Sequence, residues 1–330
     1  MAATEIGLAG ARAARRESPE PPAPAPGQAG ADWANVHAPD ARSKPAAAAQ
    51  APGGRALRRL LRNPNALAGA AILAAAVLLA LLAPVLYPGD PLAMAGRPLT
   101  WPGTNPRFPL GTDSMGRDVA AGIAHGARIS LLVGLAATAV GLAVGVAVGA
   151  VGGYFGGRID DALVRATEIV QTMPGFLLLI VLVAIARPTA TTVVLGIAMV
   201  GWPTIARLTR AEFRSLREKD FVVAARSLGY GHARIIFREI LPNAAPALIV
   251  SASIMVATAI LMESALSFLG LGDPNAVSWG SMIGAGRELI RTAWYLTALP
   301  GLAIVLTVLA LNLIGDGLND ALNPRYADDR

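Results

Sequence analysis

The sequence predicts an all-α polytopic membrane protein with six transmembrane helices and with its N- and C-termini in the cytoplasm. Three observations predict it. Of 330 residues, 54% are hydrophobic and only 15% are charged, which is too apolar for an ordinary soluble domain. The apolar residues fall into six runs of membrane length, each suited to about 30 Å of hydrocarbon. The basic residues gather beside alternate ends of those runs, as topology determinants do.

Residues 1 to about 54 form an Ala/Pro/Gly-rich tail, as in PEPPAPAPGQAGA. It has no hydrophobic periodicity and cannot bury a core, so it reads as disordered. It is not a signal peptide, because prolines and acidic residues precede the first apolar run. A basic collar follows, with Arg55, Arg58, Arg59 and Arg62 ahead of a first span at about Ala66–Tyr87. Positive charge before that span and none soon after it predicts a cytoplasmic start.

The second span is expected at about Ile129–Val151 and the third at about Ala162–Ala186. The fourth is expected at about Thr189–Ala206, the fifth at about Ala244–Leu266 and the sixth at about Ala298–Ile314. The loop after the fourth span carries Arg207, Arg210, Arg214, Arg217, Lys219, Arg226, Arg234 and Arg238. Six crossings place that loop inside and return the C-terminus to the same side. In the second span Gly141, Gly145, Gly149 and Gly153 recur every fourth residue and continue the face of Ala137. They make a smooth ridge for close helix packing, within the chain or against a partner subunit.

The net charge of +6 belongs to this topology pattern, so nucleic-acid binding is excluded. There is no cysteine, which excludes disulfides, thiolate catalysis and cysteine metal sites. His37, His125 and His232 lie far apart and match no metal-ligand spacing. No catalytic set is apparent. Serines occur in the fifth span, but no His or Lys lies in any span to activate one.

The most informative stretch is DFVVAARSLGYGHARIIFREILPN, Asp220 to Asn243. Asp220 is a candidate N-cap. Phe221, Ala224, Ala225 and Leu228 fall on one helical face. Gly229 stands where a glycine ends a helix. Tyr230, Gly231 and His232 make a turn, and Ala233 to Leu241 form a second short helix ended by Pro242. Two readings stay open from periodicity alone: a helix lying on the membrane surface, or a docking helix for the groove of a soluble partner.

This loop resembles the "EAA" loop of permease subunits in bacterial ABC importers. The match carries Ala224, Ala225 and Gly229, followed by Leu241–Pro242. One position departs from it: Val223 stands where the motif has its leading glutamate. Further segments are similar to the dipeptide/oligopeptide/nickel permease family, of the "C" type of its two paired permeases. They are LGTDSMGRDVAAGIAHGARISLLVG (Leu110–Gly134), ESALSFLGLG (Glu263–Gly272) with Trp279–Gly280, and NLIGDGLNDALNPR (Asn312–Arg325). Arg55–Ala83 resembles the family's N-terminal extension.

The resemblance implies a type I ABC importer permease fold and a division of the chain. Residues 55–110 hold the extension with the first helix and an outer segment. Residues 111–325 are the core permease domain with five helices and a coupling loop at about 212–242, and 326–330 are a tail. It implies a bacterial inner-membrane location and three kinds of protein partner besides membrane lipid: a second related permease, two cytosolic ATPase subunits and an extracytoplasmic binding protein. ATP and Mg belong to the ATPases, so this chain holds no cofactor and no metal and is not itself an enzyme. The implied cargo is di- or oligopeptides, with nickel chelates or another small solute as the alternative. An ion-coupled secondary carrier is the remote alternative; it would need an internal repeat or a midplane ionisable pair, and neither is seen.

Five further groups stand out. Gly111, Asp113, Gly116, Arg117 and Asp118 form a compact outer turn, with Arg117 paired to Asp113 or Asp118, that either shapes the vestibule and docks the binding protein or is purely structural. Glu168 is either part of a helix-end charge network with Arg165 and Asp161 or a gating residue. Glu263 reads as a structural cap for the outer segment, or else as a pathway residue. Met173–Pro174 lies mid-span, where proline frees a carbonyl and kinks the helix, either structurally or for gating. Asp316 and Asp320, near the inner end of the sixth span, either cap helices or contact the ATPase.

Overall fold

A computed structural model describes residues 60–322 of the chain. The tail 1–54, the collar arginines Arg55, Arg58 and Arg59, and the C-terminal tail lie outside the described residues. Among the described residues the protein is helical. Its only β features are isolated bridges, Asn105 with Phe108 and Thr112 with Asp118.

Helix α1, Pro64–Leu86, begins where Asn63 accepts hydrogen bonds from the backbone N–H groups of Asn65 (3.0 Å) and Ala66 (3.3 Å). Pro64 at the first helical position costs nothing there, because its missing N–H would be unpaired anyway. Small residues, Ala66, Gly69, Ala80 and Ala83, face inward, while Leu67, Leu78, Leu81 and Val85 stay exposed. That inversion of size suits a helix whose outer face meets lipid and whose inner face packs closely.

Helix α2 runs from Val119 to Phe155, 37 residues, about 55 Å at 1.5 Å per residue. It starts ten residues before the expected Ile129. The Asp118 carboxylate caps it by accepting from Ala120 N (2.9 Å), and the added turns are buried against the outer segment, with Gly126 against Trp279. Tertiary burial, not hydropathy, sets this boundary.

The third expected span is broken. Helices α3 (Gly157–Gln171) and α4 (Gly175–Ala186) meet at a bend of 79°. Pro174 forms the N-cap of α4, so Met173–Pro174 is a joint and not a mild kink. Helix α4, about 18 Å long, is too short to cross alone.

Helix α5, Ala190–Arg217, is opened by a capping box between Thr189 and Thr192 and continues well past the expected Ala206. Its last turns are amphipathic and end on Arg214 and Arg217, cations placed favourably at a helix C-terminus. The short helix α6 spans Asp220–Ser227. Helix α7 is continuous from His232 to Phe268. Its stretch Ile235–Ile240 is π-helical, and Leu241 N–H closes onto Ile236 O. Pro242 therefore does not end a short helix. The wider turn ahead of it spares the bond that proline cannot donate. Helix α8 (Trp279–Gly286) lies in the segment between α7 and α9, and α9 (Tyr295–Leu322) is the last long apolar helix. Five helices are long and apolar enough to cross a membrane, or six if the bent pair counts as one.

The glycine ridge of α2 packs within the chain. A Cβ on Gly145 would sit 2.7 Å from Ile205 Cβ and 2.8 Å from Trp202 O, and one on Gly153 would sit 2.7 Å from Arg210 O. The ridge therefore sets the close approach of α2 and α5, the most extensive helix pair of the fold. A second cluster joins the ends of α2, α5, α6 and α7 through Tyr154, Phe213, Val222, Ala225, Ile235 and Ile240.

Candidate functional site

Helix α6 is held by two side chains. Val222 (0% exposed) and Ala225 (5%) are sunk into the cluster at the end of α2 and α5. Phe221, Val223, Ala224 and Leu228 remain exposed, Leu228 at 71%. Ala225 thus belongs to the inward face and not to the free face expected for it. With six apolar residues in nine, two stripes were available, and the one bearing Val222 packs inward. The N-cap is Lys219, with no side-chain cap bond. Asp220 is not the cap but the first helical residue, where its charge meets the positive end of the helix.

The C-terminus is a Schellman motif. Tyr230 N–H bonds Ala225 O (3.1 Å) and Gly229 N–H bonds Arg226 O (2.9 Å). Gly229 has φ +77° with open space around it, so its requirement is conformational, not steric. The turn after it is pinned by a hydrogen bond between Tyr154 Oη and His232 Nδ1 (2.8 Å) and by Arg234 stacked 3.8 Å over the Tyr230 ring. Arg217 Nη1 donates to the α2 terminal carbonyls of Gly153 (3.2 Å) and Tyr154 (3.3 Å). Arg210 grips Asp160 with two parallel bonds, Nη2 to Oδ2 at 2.6 Å and Nε to Oδ1. None of Tyr154, Asp160 or His232 was marked as a partner in the sequence. A lone tyrosine, aspartate and histidine far apart along the chain carry no local signal of pairing.

At the opposite end, Gly111 (φ +81°) and Gly116 (φ +78°) shape the outer turn, their α-carbons pressed against the Thr100 and Gly96 carbonyls. The Asp113 carboxylate accepts from the N–H groups of Met115 and Arg117, both at 2.8 Å. Asp118 caps α2. Both carboxylates are thus used on backbone, and neither pairs with the Arg117 guanidinium as expected; Arg117 Nε is buried without a hydrogen-bond partner. A cavity of about 190 Å³ lies beside this turn, between it and the Asp273–Gly286 region.

Glu168 is exposed and lies 3.7 Å from Arg165, a contact of small energetic weight, and among the described residues Asp161 does not join it in the expected network. Glu263 is 3% exposed and accepts from Ser267 (2.7 Å), Ser130 (3.1 Å) and Ser264 (3.4 Å). Ser130 Oγ in turn accepts from Trp279 N (3.3 Å), and Trp279 Nε1 donates to Ile123 O (3.0 Å). Glu263 therefore joins α2, α7 and, through Ser130, α8. Asp320 accepts from Asn63 (3.3 Å), tying the ends of α1 and α9, while Asp316 is exposed. Among the described residues no three His, Asp or Glu side chains converge to hold a metal.

Comparison with known proteins places this architecture. Residues 141–328 match the family model described as binding-protein-dependent transport system inner membrane component. Residues 51–99 match the N-terminal TM domain of oligopeptide transport permease C. The chain is 39% identical over 269 residues to a di/tripeptide transport system permease protein of Pseudomonas aeruginosa, covering 80% of this chain and 89% of that one. It is 38% identical over 279 residues to a dipeptide transport system permease protein of Alkalihalophilus pseudofirmus, covering 84% and 91%. A putative peptide permease protein of Brucella suis is 38% identical over 292 residues, covering 84% and 93%. The fold is similar to a chain of the inward-facing MetNI methionine ABC transporter, with a TM-score of 0.51 and 18% identity over 61% of this chain and 96% of that one.

Proposed function

This chain belongs to the family of binding-protein-dependent transport system inner membrane components, and from that premise we propose that it is the permease half of an ATP-driven importer of di- or oligopeptides. It is a multi-pass inner-membrane protein of helical type I permease fold. Its relatives are permeases for dipeptides and other peptides, which supports a peptide cargo. A second, related permease completes the pathway, an extracytoplasmic binding protein delivers the peptide, and two cytosolic ATPases bind ATP and Mg. This chain supplies no catalytic group.

The observation that carries this reading is the free apolar strip of α6 made by Phe221, Ala224 and Leu228, with Val223 exposed to one side of it. Phe221, Val223, Ala224 and Leu228 are exposed on a helix that is itself fixed to the ends of α2, α5 and α7 through Val222 and Ala225. An exposed apolar strip beside a basic surface marks an interaction site. Here it is the docking surface for an ATPase, because any displacement of α6 is passed directly into three pathway helices. Both termini and α6 lie on the cytoplasmic side in this reading. The outer turn Gly111–Asp118 then faces the binding protein.

The test uses the assembled complex in lipid. Leu228→Asp places a charge on the free strip without touching the buried face. The expected result is normal assembly of the two permeases with loss of peptide-stimulated ATP hydrolysis. Unchanged stimulation would remove α6 from the docking surface.

A further inference from the structure

We infer that α3 carries the seam on which this subunit meets the second, related permease, with the axis between the two passing beside the middle of the helix. The inference rests on the importer reading, which supplies that second permease, and adds the helix and the side chains that face it. Three rows divide α3. Asp160, Leu163 and Thr167 turn into the bundle, where Asp160 grips Arg210 and Leu163 lies beside Gly152. Ile159, Ala162, Ala166 and Ile169 form a second row that is exposed throughout, Ile169 at 70%. Arg158, Asp161, Arg165 and Glu168 form a third row, exposed alongside it.

Both exposed rows step by three, four and three residues, the spacing of a helix face that packs on another helix, apolar at the seam and charged at its flank. Each row also complements itself when reversed. The apolar row reads large, small, small, large. The charged row reads basic, acidic, basic, acidic. An antiparallel mate of the same kind therefore sets Ile159 against Ile169 and Ala162 against Ala166, with Arg158 against an acid at the position of Glu168 and Asp161 against a base at that of Arg165. The centres of the two rows fall together, at Leu163 and Val164. The two alanines at the crossing let the backbones approach closely.

A surface astride a twofold axis must complement itself. Two related permeases cross one membrane in the same sense, so the axis between them runs along the bundle. The direction of α3 fits that axis. Helix α4 packs along α5, with Gly175 beside Val200 and Gly196 beside Leu179, and the 79° bend turns α3 across the bundle. A helix lying across a twofold axis meets its mate antiparallel, as the two rows require. The charges are free for that mate. Among the described residues Arg158 and Asp161 have no ion-pair partner, and Arg165 and Glu168 reach only one another. Two bases and two acids in alternation also differ from the basic face of a helix that lies on lipid.

The chain has no cysteine, so a single introduced thiol is the only one it carries. Ala162→Cys is placed in the complete complex in proteoliposomes. Single thiols are placed along the segment of an otherwise cysteine-free partner permease that aligns with residues 157–171. A short bismaleimide is added with and without ATP. The expected result, in at least one nucleotide state, is linkage of the two permeases several-fold stronger at the partner position aligned with Ala166 than at that aligned with Ile159. Ile159→Cys should link instead at the position aligned with Ile169, and it gives the same readout if Ala162→Cys fails to assemble. Leu81→Cys, on the exposed face of α1, should link to none of them. Overturning results are a parallel pattern, linkage to an ATPase or to a second copy of this chain, or no linkage in either state, as for a helix facing lipid. Peptide uptake by the unmodified complex decides the importer reading separately: linkage without ATP-driven uptake leaves the seam standing and removes that reading.

Discussion

The two ends of this bundle are finished in opposite ways. The outer turn closes on itself. Tyr295 Oη donates to Thr112 O (2.8 Å) and lies 3.2 Å from Thr100 O, Thr100 N–H bonds Thr112 Oγ1 (2.9 Å), and two aspartates spend their oxygens on backbone N–H groups. The end that carries α6 keeps this helix in place with two buried side chains and leaves four apolar residues facing out. At the outer turn the polar groups are met from within, Arg117 Nε excepted, whereas an apolar strip with nothing over it leaves the other end open to an interaction. The difference separates a region held by its own hydrogen bonds from one that leaves an apolar surface uncovered.

Substitutions break or sharpen that contrast. The largest effect is expected at the self-contained end. Gly111→Val forces a β-branched residue into φ +81° against the Thr100 carbonyl; left-handed strain of about 1–2 kcal/mol plus a backbone collision should exceed roughly 4 kcal/mol in total. The measurement is thermal unfolding and yield in detergent, and near-normal values would contradict the closed-turn account. Next comes Val222→Asp, a charge placed at a fully buried position, expected to cost about 3–5 kcal/mol and to release α6, read as rapid proteolysis between Arg217 and His232. Gly229→Ala, at φ +77° with free space, is expected to cost only about 1 kcal/mol, with a partial fall in peptide-stimulated ATP hydrolysis and no change in permease assembly. The smallest effect is Val223→Glu. It restores the acidic residue of the resembling motif at an exposed site, within about 0.5 kcal/mol of neutral for stability. ATPase binding should become more salt-dependent, and an unchanged salt profile would show that this position makes no charged contact.

What was legible in the sequence follows from how local each cause is. The ridge of Gly141, Gly145, Gly149 and Gly153 was readable because its four-residue spacing is a property of one helix. Gly229 was readable because its stop signal lies within its own turn. The early start of α2 was not, because it depends on Trp279, more than a hundred residues away. Proline marked the joint at Met173–Pro174, but a 79° break needs α5 to receive α4 on one side. Pro242 misled for the converse reason: proline was read as a stop, and a π-helical turn carried the helix through it. Which face of α6 turns inward also escaped periodicity, since both the stripe of Phe221, Ala224 and Leu228 and the one bearing Val222 are apolar, and only the cluster around Phe213 and Ile240 selects between them.

The most direct measurement is amide hydrogen exchange on the permease pair in lipid, with and without its ATPases. An eight-residue helix is marginal by itself, so its amides should exchange quickly until covered. The account predicts that Asp220–Gly229 slows markedly when the ATPases bind while Gly111–Asp118 stays as it was. Equal exchange of Asp220–Gly229 in both states would contradict it.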